Sequence, residues 1–324
     1  MATSSVSPSP LLPPNLNFHK YKVALCQLPV SPKKSENIAR ARARVDAAAA
    51  AGAKLVVLPE IWCCPYSMET LPSYAEDIDG GASPSVSMMS EIAAARKITI
   101  VGGSIPEKAH GKVFNTCCVI GPDGKIMARH RKLHLFEIDI PGDISLKESD
   151  VFTAGPEPTV VDTDVGRIGI GICHDIRFPE LAMLYRSREP ISIMTYPTRC
   201  TLDMLSFCVQ HEHWGTPLGP YAEIQLAVDN QLFVATCSPA RDPNAKSDYM
   251  IWGHSSLIGP FGEVLATAGH EEATVIGEVD LSMIQSTREN LPLETQSRGD
   301  LYQFIDFQRG SERDVARGGM QMET

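Results

Sequence analysis

The sequence predicts an α/β fold in which two sheets pack together with helices outside. Strand-like and helix-like runs alternate along the chain, which favours α/β over separate all-α or all-β units. Two turn sequences, Gly121-Pro122-Asp123-Gly124 and Gly259-Pro260-Phe261-Gly262, add hairpin pairs to that alternation. The glycine-spaced, β-branched run Gly166 to Cys173 gives way at once to polar His174-Asp175-Ile176-Arg177-Phe178-Pro179-Glu180, as a buried strand does when it hands over to a helix.

In order along the chain, Tyr21 to Gln27 reads as a first strand, Ile38 to Ala51 as an Ala-rich helix, and Lys54 to Leu58 as a second strand ending at Pro59-Glu60. Val86 to Lys97 is helical in pattern and Thr99 to Ser104 extended. Thr116 to Ile120 and Ile126 to Arg129 flank the first hairpin turn. Leu232 to Thr236, Ser256 to Ile258 and Val275 to Val279 complete the expected strands.

Bulk properties narrow the function classes. A net charge of −10 with no basic stripe argues against nucleic acid or an anionic membrane as the main partner. No apolar run reaches the length of a membrane span, so a soluble protein is expected. Nine scattered cysteines, with Cys63-Cys64 and Cys117-Cys118 adjacent, fit neither a disulfide framework nor zinc-ligand spacing and are expected as reduced thiols. Residues 1–20, rich in Ser and Pro, are expected to form a flexible tail, 21–308 one domain and 309–324 a C-terminal tail. The tail has no secretory pattern and no Arg; a cytoplasmic location is expected, with a plastid or other organelle the alternative if the tail is a transit sequence.

Three residues carry chemistry. Cys173 ends its apolar run at the edge of a sheet where ligands bind and where a following helix start stabilises a thiolate; the competing reading is a buried core cysteine. Glu60 ends Leu55-Val56-Val57-Leu58-Pro59, where burial raises a carboxyl toward the range of a general base. Lys132 lies in the basic stretch His130-Arg131-Lys132-Leu133-His134. Singly, Glu60 and Lys132 read as surface residues, but with Cys173 they supply a base, a cation and a thiol, the inventory for acyl transfer through a thioester.

Leu58-Pro59-Glu60, Arg131-Lys132-Leu133-His134 and Gly171-Ile172-Cys173-His174-Asp175, in that order and at these separations, resemble the nitrilase superfamily of carbon-nitrogen hydrolases, and within it the Nit-type omega-amidases. Phe136 to Gly142, Asp229 to Thr236, Ser238 to Asp242 and Trp252-Gly253-His254-Ser255 support the likeness, which runs from about Tyr21 to about Gln308. The family's Cys-Tyr-Asp is here Cys173-His174-Asp175.

The resemblance implies an αββα four-layer sandwich and a homodimer or higher homo-oligomer. It implies Glu60 as general base, Lys132 as the cation beside the tetrahedral intermediate, Cys173 as nucleophile and Glu148 as a second glutamate that orients Lys132 and the attacking water. By the same resemblance Tyr66 lines the pocket, the His174 N–H completes an oxyanion hole, and no metal or cofactor is needed. The implied substrates are dicarboxylate monoamides such as 2-oxoglutaramate and 2-oxosuccinamate, with Arg177 as a carboxylate partner. The alternatives are another amide or nitrile hydrolase of the superfamily, or an impaired relative that keeps the scaffold for binding or assembly.

Residues 186–226 depart from the family pattern, which has Tyr-Pro-Gly-Ala-Phe-Asn and then an amphipathic helix. Codons for Phe-Asn-Met-Asn-Thr-Gly read two nucleotides late spell Gln-His-Glu-His-Trp, the sequence at 210–214, and displaced codons for Met-Gln-Arg-Ser give Tyr221-Ala222-Glu223-Ile224. The stretch therefore reads as out of frame, and with Pro190, Pro197, Pro217 and Pro220 it is expected to be irregular. His211-Glu212-His213 with Cys208 lacks the helical spacing of a zinc motif and is read as a chance product. The Gly166 to Gly171 run precedes a cysteine and opens no phosphate-binding helix, so it is not a dinucleotide fingerprint.

Overall fold

A computed structural model describes residues 20–139, 145–188, 192–198, 219–242, 251–302 and 304–306. The first half builds a seven-stranded sheet from β1 (Lys20–Gln27), β2 (Ala53–Val57), β3 (Thr99–Val101), β4 (Ile105–Ala109), β5 (Lys112–Ile120), β6 (Ile126–Arg131) and, from the end of the chain, β15 (Ala273–Asp280). Its order is β15-β1-β2-β3-β5-β4, with β6 also paired to β5. The second sheet has the order β14-β13-β12-β11-β10-β9, from β9 (Thr159–Thr163), β10 (Gly166–Ile170), β11 (Ile193–Pro197), β12 (Phe233–Cys237), β13 (Ser256–Ile258) and β14 (Val264–Thr267). A small antiparallel pair, β7 (Glu137–Asp139) and β8 (Ser145–Lys147), stands apart. Each large sheet has a parallel centre, β1-β2-β3 in one and β10-β11-β12 in the other, flanked by antiparallel strands.

Three apolar clusters define four layers. Val23, Leu25, Leu55 and Val57 of the first sheet share one cluster with Ile168, Ile170, Ile193, Phe233 and Ala235 of the second, so the sheets pack face to face. The alternate residues Ala24, Cys26 and Val56 face outward and pack with Ala41, Val45, Met89 and Ile92 of helices α1 (Lys34–Ala50) and α2 (Pro84–Arg96). Met194, Tyr196 and Val234 do the same for α3 (Pro179–Arg188) and α4 (Gly219–Asn230), through Leu181, Ala182, Leu226 and Ala227. Helix, sheet, sheet, helix is the αββα sandwich that the resemblance implied. Helix α5 (Ser282–Asn290) follows β15, and among the described residues no helix is long and apolar enough to cross a membrane.

Two expectations need correction. Helix α1 starts four residues before Ile38 because Lys34-Ser35-Glu36-Asn37 belongs to its first turn, where polar side chains precede the apolar face. Much of the stretch expected to be irregular is regular. Residues 193–197 form the fully buried central strand β11, and 219–230 form α4. Pro197 is the last residue of its strand and Pro220 lies in the first turn of its helix, where a missing N–H breaks no internal bond. Pro190, Pro217 and the 208–214 segment with its His-Glu-His lie outside the described residues.

Candidate active site

Glu60 follows β2 at the C-terminal edge of the first sheet's parallel centre. Its turn is held on all sides. Glu60 N donates to Thr198 O of the opposite sheet at 3.4 Å, Ile61 N to Ser104 Oγ at 3.1 Å, and the Trp62 indole to Gly102 O at 2.9 Å. Ile61 adopts a left-handed φ of 47°, a conformation that costs a β-branched residue free energy and persists because these contacts fix it. Lys132 follows β6, with its N–H donating to Asn115 O at 2.9 Å. Glu148 opens a one-turn 3₁₀ segment after β8; its N–H bonds Phe136 O at 2.9 Å and its Oε2 accepts the Phe136 N–H at 2.6 Å.

These residues converge on one ammonium group. Lys132 Nζ lies 2.9 Å from Glu60 Oε1 and bridges both oxygens of Glu148, at 3.0 Å from Oε1 and 2.9 Å from Oε2. All three side chains are 1% exposed or less, so the ion pairs lie in a low-dielectric interior where removing one partner strands a charge. Burial alone would push Lys132 down, but the charges of Glu148, Glu60 and Cys173 outweigh it and hold the ammonium protonated well above its ordinary range. Burial also pushes Glu60 up, aided by Glu148 and opposed by Lys132 and by hydrogen bonds from Lys132 and Asn115. Tyr66, expected only to line the pocket, donates its hydroxyl to Glu148 Oε1 at 2.5 Å.

Cys173 comes from the other sheet. It ends the β10 segment, is 3% exposed, and takes φ of 45° at the start of the 3₁₀ turn Cys173–Arg177. A cysteine in the left-handed region between strand and helical turn is a strained placement, of the kind that concentrates at functional sites. Gly171, two residues earlier, has to be glycine: a Cβ there would stand 2.4 Å from the buried Tyr196 ring. The first N–H groups of a helical turn have no partner inside it, which leaves the His174 amide at the edge where the thiol sits. The His174 imidazole is half-buried, set edge-on to Phe136 and Phe178, and its Nδ1 has no hydrogen-bond partner among the described residues. Burial and the Lys132 charge depress its pKa.

Asp175 ties the two halves of the site together. It is fully buried and accepts from Ile172 N (2.8 Å), His134 N (2.9 Å), His134 Nδ1 (2.7 Å) and His130 Nε2 (3.4 Å). Burial would raise its pKa; these donors more than offset that and hold it well below the usual 3.8. Sequence reading quoted Asp175 and His134 without a role and did not single out Asn115. The available signal for Asn115 is a polar residue inside the otherwise apolar strand Val113-Phe114-Asn115-Thr116-Cys117-Cys118.

Arg177 stands apart. It lines a cavity of about 440 Å³ between α3 and α4, with Met183, Arg186 and Asp229, and none of Glu60, Lys132, Glu148 or Cys173 lines that cavity. A second cavity of about 460 Å³, lined by His134, Phe178, Leu181, Leu184, Phe304 and Ile305, likewise holds none of the four. Among the described residues no group of three or more His, Cys, Asp or Glu side chains is arranged to hold a metal ion.

Comparison with known proteins gives the same grouping. The family model described as carbon-nitrogen hydrolase matches residues 22–289. The chain belongs to the carbon-nitrogen hydrolase family. The protein named "Omega-amidase, chloroplastic" of Arabidopsis thaliana is 53% identical over 304 residues, covering 93% of this chain and 79% of that protein. Omega-amidase NIT2 of Homo sapiens is 43% identical, over 87% of this chain and 96% of that one. Among solved structures, Saccharomyces cerevisiae Nit3, a nitrilase-superfamily member of branch 10, superposes with a TM-score of 0.75 at 38% identity, over 86% of this chain and 97% of that chain. For this carbon-nitrogen hydrolase the αββα architecture thus agrees with solved members of the superfamily.

Proposed function

We propose that the protein is an omega-amidase, hydrolysing the side-chain amide of dicarboxylate monoamides such as 2-oxoglutaramate and 2-oxosuccinamate to the acid and ammonia through a Cys173 thioester. The observation that carries this is the buried Glu60–Lys132–Glu148 ion cluster beside Cys173, with 53% identity to a named omega-amidase in support.

Glu60, its pKa raised by burial above the ordinary carboxyl value, takes the Cys173 proton. The thiolate forms a C–S bond to the amide carbon, and the carbonyl π pair moves to oxygen. That oxyanion is met by the Lys132 ammonium and the His174 N–H; a preorganised donor of this kind is worth about 3–4 kcal/mol. Glu60 returns its proton to the amide nitrogen, the C–N bond breaks and ammonia leaves. Water then adds to the thioester, giving its proton to Glu60 while Glu148, tethered by Tyr66 and Lys132, orients it. Collapse expels the thiolate and releases the acid.

Arg177 is proposed as the partner of the free carboxylate because it closes the same 3₁₀ turn that Cys173 opens, although the cavity it lines holds none of the four reacting groups. We propose a homodimer, supported by the exposed apolar residues Leu301, Tyr302 and Ile305 near the end of the described chain. A plastid location is supported by the name of the Arabidopsis relative, with the cytoplasm the alternative; a fluorescent fusion of residues 1–20 tests it. The reaction is tested by ammonia release from 2-oxoglutaramate together with intact-mass detection of an acyl adduct on Cys173. Turnover with no adduct on Cys173 under rapid quench, or an enzyme that hydrolyses nitriles and no monoamide, overturns the reading.

A further inference from the structure

Glu60 accepts two hydrogen bonds, and both end on the same oxygen. Lys132 Nζ is 2.9 Å and Asn115 Nδ2 2.8 Å from Oε1. Among the described residues Oε2 accepts no hydrogen bond. Asn115 is fully buried in β5, and its backbone oxygen accepts the Lys132 N–H at 2.9 Å. One residue therefore grips both members of the ion pair, the lysine by its main chain and the glutamate by its side-chain amide.

The amide orientation follows from chemistry. Turned over, the amide would place Oδ1 2.8 Å from Oε1, two acceptors against each other while Glu60 is ionised. As it stands, Nδ2 is satisfied and Oδ1 is buried without a partner among the described residues. A buried acceptor left unpaired is costly, so the residue is not explained by packing alone. A leucine has the same branching with no orphaned oxygen.

We propose that Asn115 is a positioning residue for the general base: by fixing Oε1 it selects Oε2 of Glu60 as the oxygen that exchanges protons with Cys173 and the leaving nitrogen. The inference rests on Glu60 being the base, as in the function proposed above. An aspartate at 115 would keep the shape but add a third carboxylate to a cluster that already carries two against one ammonium. An amide is the group that donates here without charge.

The test compares wild type with Asn115→Leu and Asn115→Ser, the serine restoring a small donor, in two assays. The first is kcat and KM against pH on 2-oxoglutaramate. The second is the pH dependence of iodoacetamide alkylation at Cys173, read by peptide mass spectrometry, which needs no substrate. Loss of the donor to ionised Glu60 should move the acid limb of both profiles to higher pH, by about one unit. It should lower kcat about 10- to 100-fold with KM changed less than about threefold, as expected when a base is misaligned and not lost. Asn115→Ser should recover part of both effects.

Profiles of Asn115→Leu that superpose on wild type overturn the positioning role. A rise in KM alone, with no shift of the acid limb, also overturns it, because that is the mark of a merely structural change. If Asn115→Leu fails to fold, the serine variant decides by the same criteria. Should the wild type hydrolyse no monoamide, the alkylation profile still tests the role of Asn115. If wild-type alkylation has no acid limb, or one that survives Glu60→Gln, the base assignment itself falls.

Discussion

Asp175→Asn changes one oxygen to an NH₂ group and removes one charge, and its cost can be worked from the contacts. Each Asp175 oxygen serves two donors: Oδ1 takes the backbone N and Nδ1 of His134, and Oδ2 takes Ile172 N and His130 Nε2. An asparagine keeps one oxygen, and the better orientation leaves it on the His134 pair. Ile172 N and His130 Nε2 then face an NH₂ that cannot accept. Hydrogen bonds to a charged group contribute about 1.5–3 kcal/mol each, and the 3.4 Å His130 contact is the weaker of the two, so a loss of about 3–4 kcal/mol is expected at pH 7. For a domain of this size that corresponds to about 5–7 °C in Tm.

The pH dependence sharpens the test. The folded-state pKa of Asp175 is depressed below 3.8, so the unfolded chain binds its proton first as pH falls. Its stabilisation is fully present above about pH 5 and is lost as pH drops through 3.8 toward the folded value. Asparagine does not titrate. The stability gap between wild type and variant, from urea unfolding at a series of pH values, should therefore be constant from pH 7 to about 5 and narrow below that. A gap under about 1 kcal/mol at pH 7, or one that widens on acidification, would refute the reasoning.

Cys173→Ala should abolish ammonia release while shifting Tm by only a few degrees, since it removes one sulfur and relieves none of the ion pairs; residual turnover above about one part in a thousand would count against nucleophilic catalysis. Gly103→Ala should cost about 2–3 kcal/mol and a larger share of activity, because Gly103 has φ of 62° and a Cβ would stand 2.0 Å from Pro59 O, displacing the turn that carries Glu60; calorimetry and kcat measured side by side check it. The acid limb of kcat/KM should lie above the ordinary glutamate value of 4.5, since burial raises Glu60 and protonated Glu60 cannot accept the thiol proton; activity falls as pH drops through that raised value, and a limb at or below 4.5 would contradict it.

The parallel centre of the first sheet, and strands β10 and β12 of the second, were legible because they are largely apolar runs such as Leu55-Val56-Val57 and Phe233-Val234-Ala235; β11 between them was not. Strand β4 was not legible. Ile105-Pro106-Glu107-Lys108-Ala109 holds a proline and two charges, tolerated because it is an edge strand and because Glu107 pairs with Arg131. The thiol, base and cation were legible as residue types at strand ends. Their fine control was not: Asn115, Tyr66 and Asp175 act through side-chain contacts between segments 41 to 82 residues apart, and no local pattern encodes which polar side chain will meet which. The irregularity expected over 186–226 overstated what proline forbids, since β11 and α4 place theirs at a strand end and a helix start.

The reacting groups are divided between the two halves of the sandwich. Glu60 and Lys132 hang from the first sheet and Cys173 from the second, while Glu60 N to Thr198 O and Cys237 Sγ to Val57 O are stitches across the seam. Neither sheet alone carries Glu60, Lys132 and Cys173, so in the proposed mechanism reactivity is a property of the closed pair and not of any segment. In the mechanism proposed above, an open seam leaves the Lys132 ammonium in water, where its field at Cys173 is weak. The thiol gains its activating neighbours only when the seam shuts. Partial opening of that seam should then silence the enzyme before it unfolds it, so that loss of activity precedes loss of secondary structure as denaturant is raised.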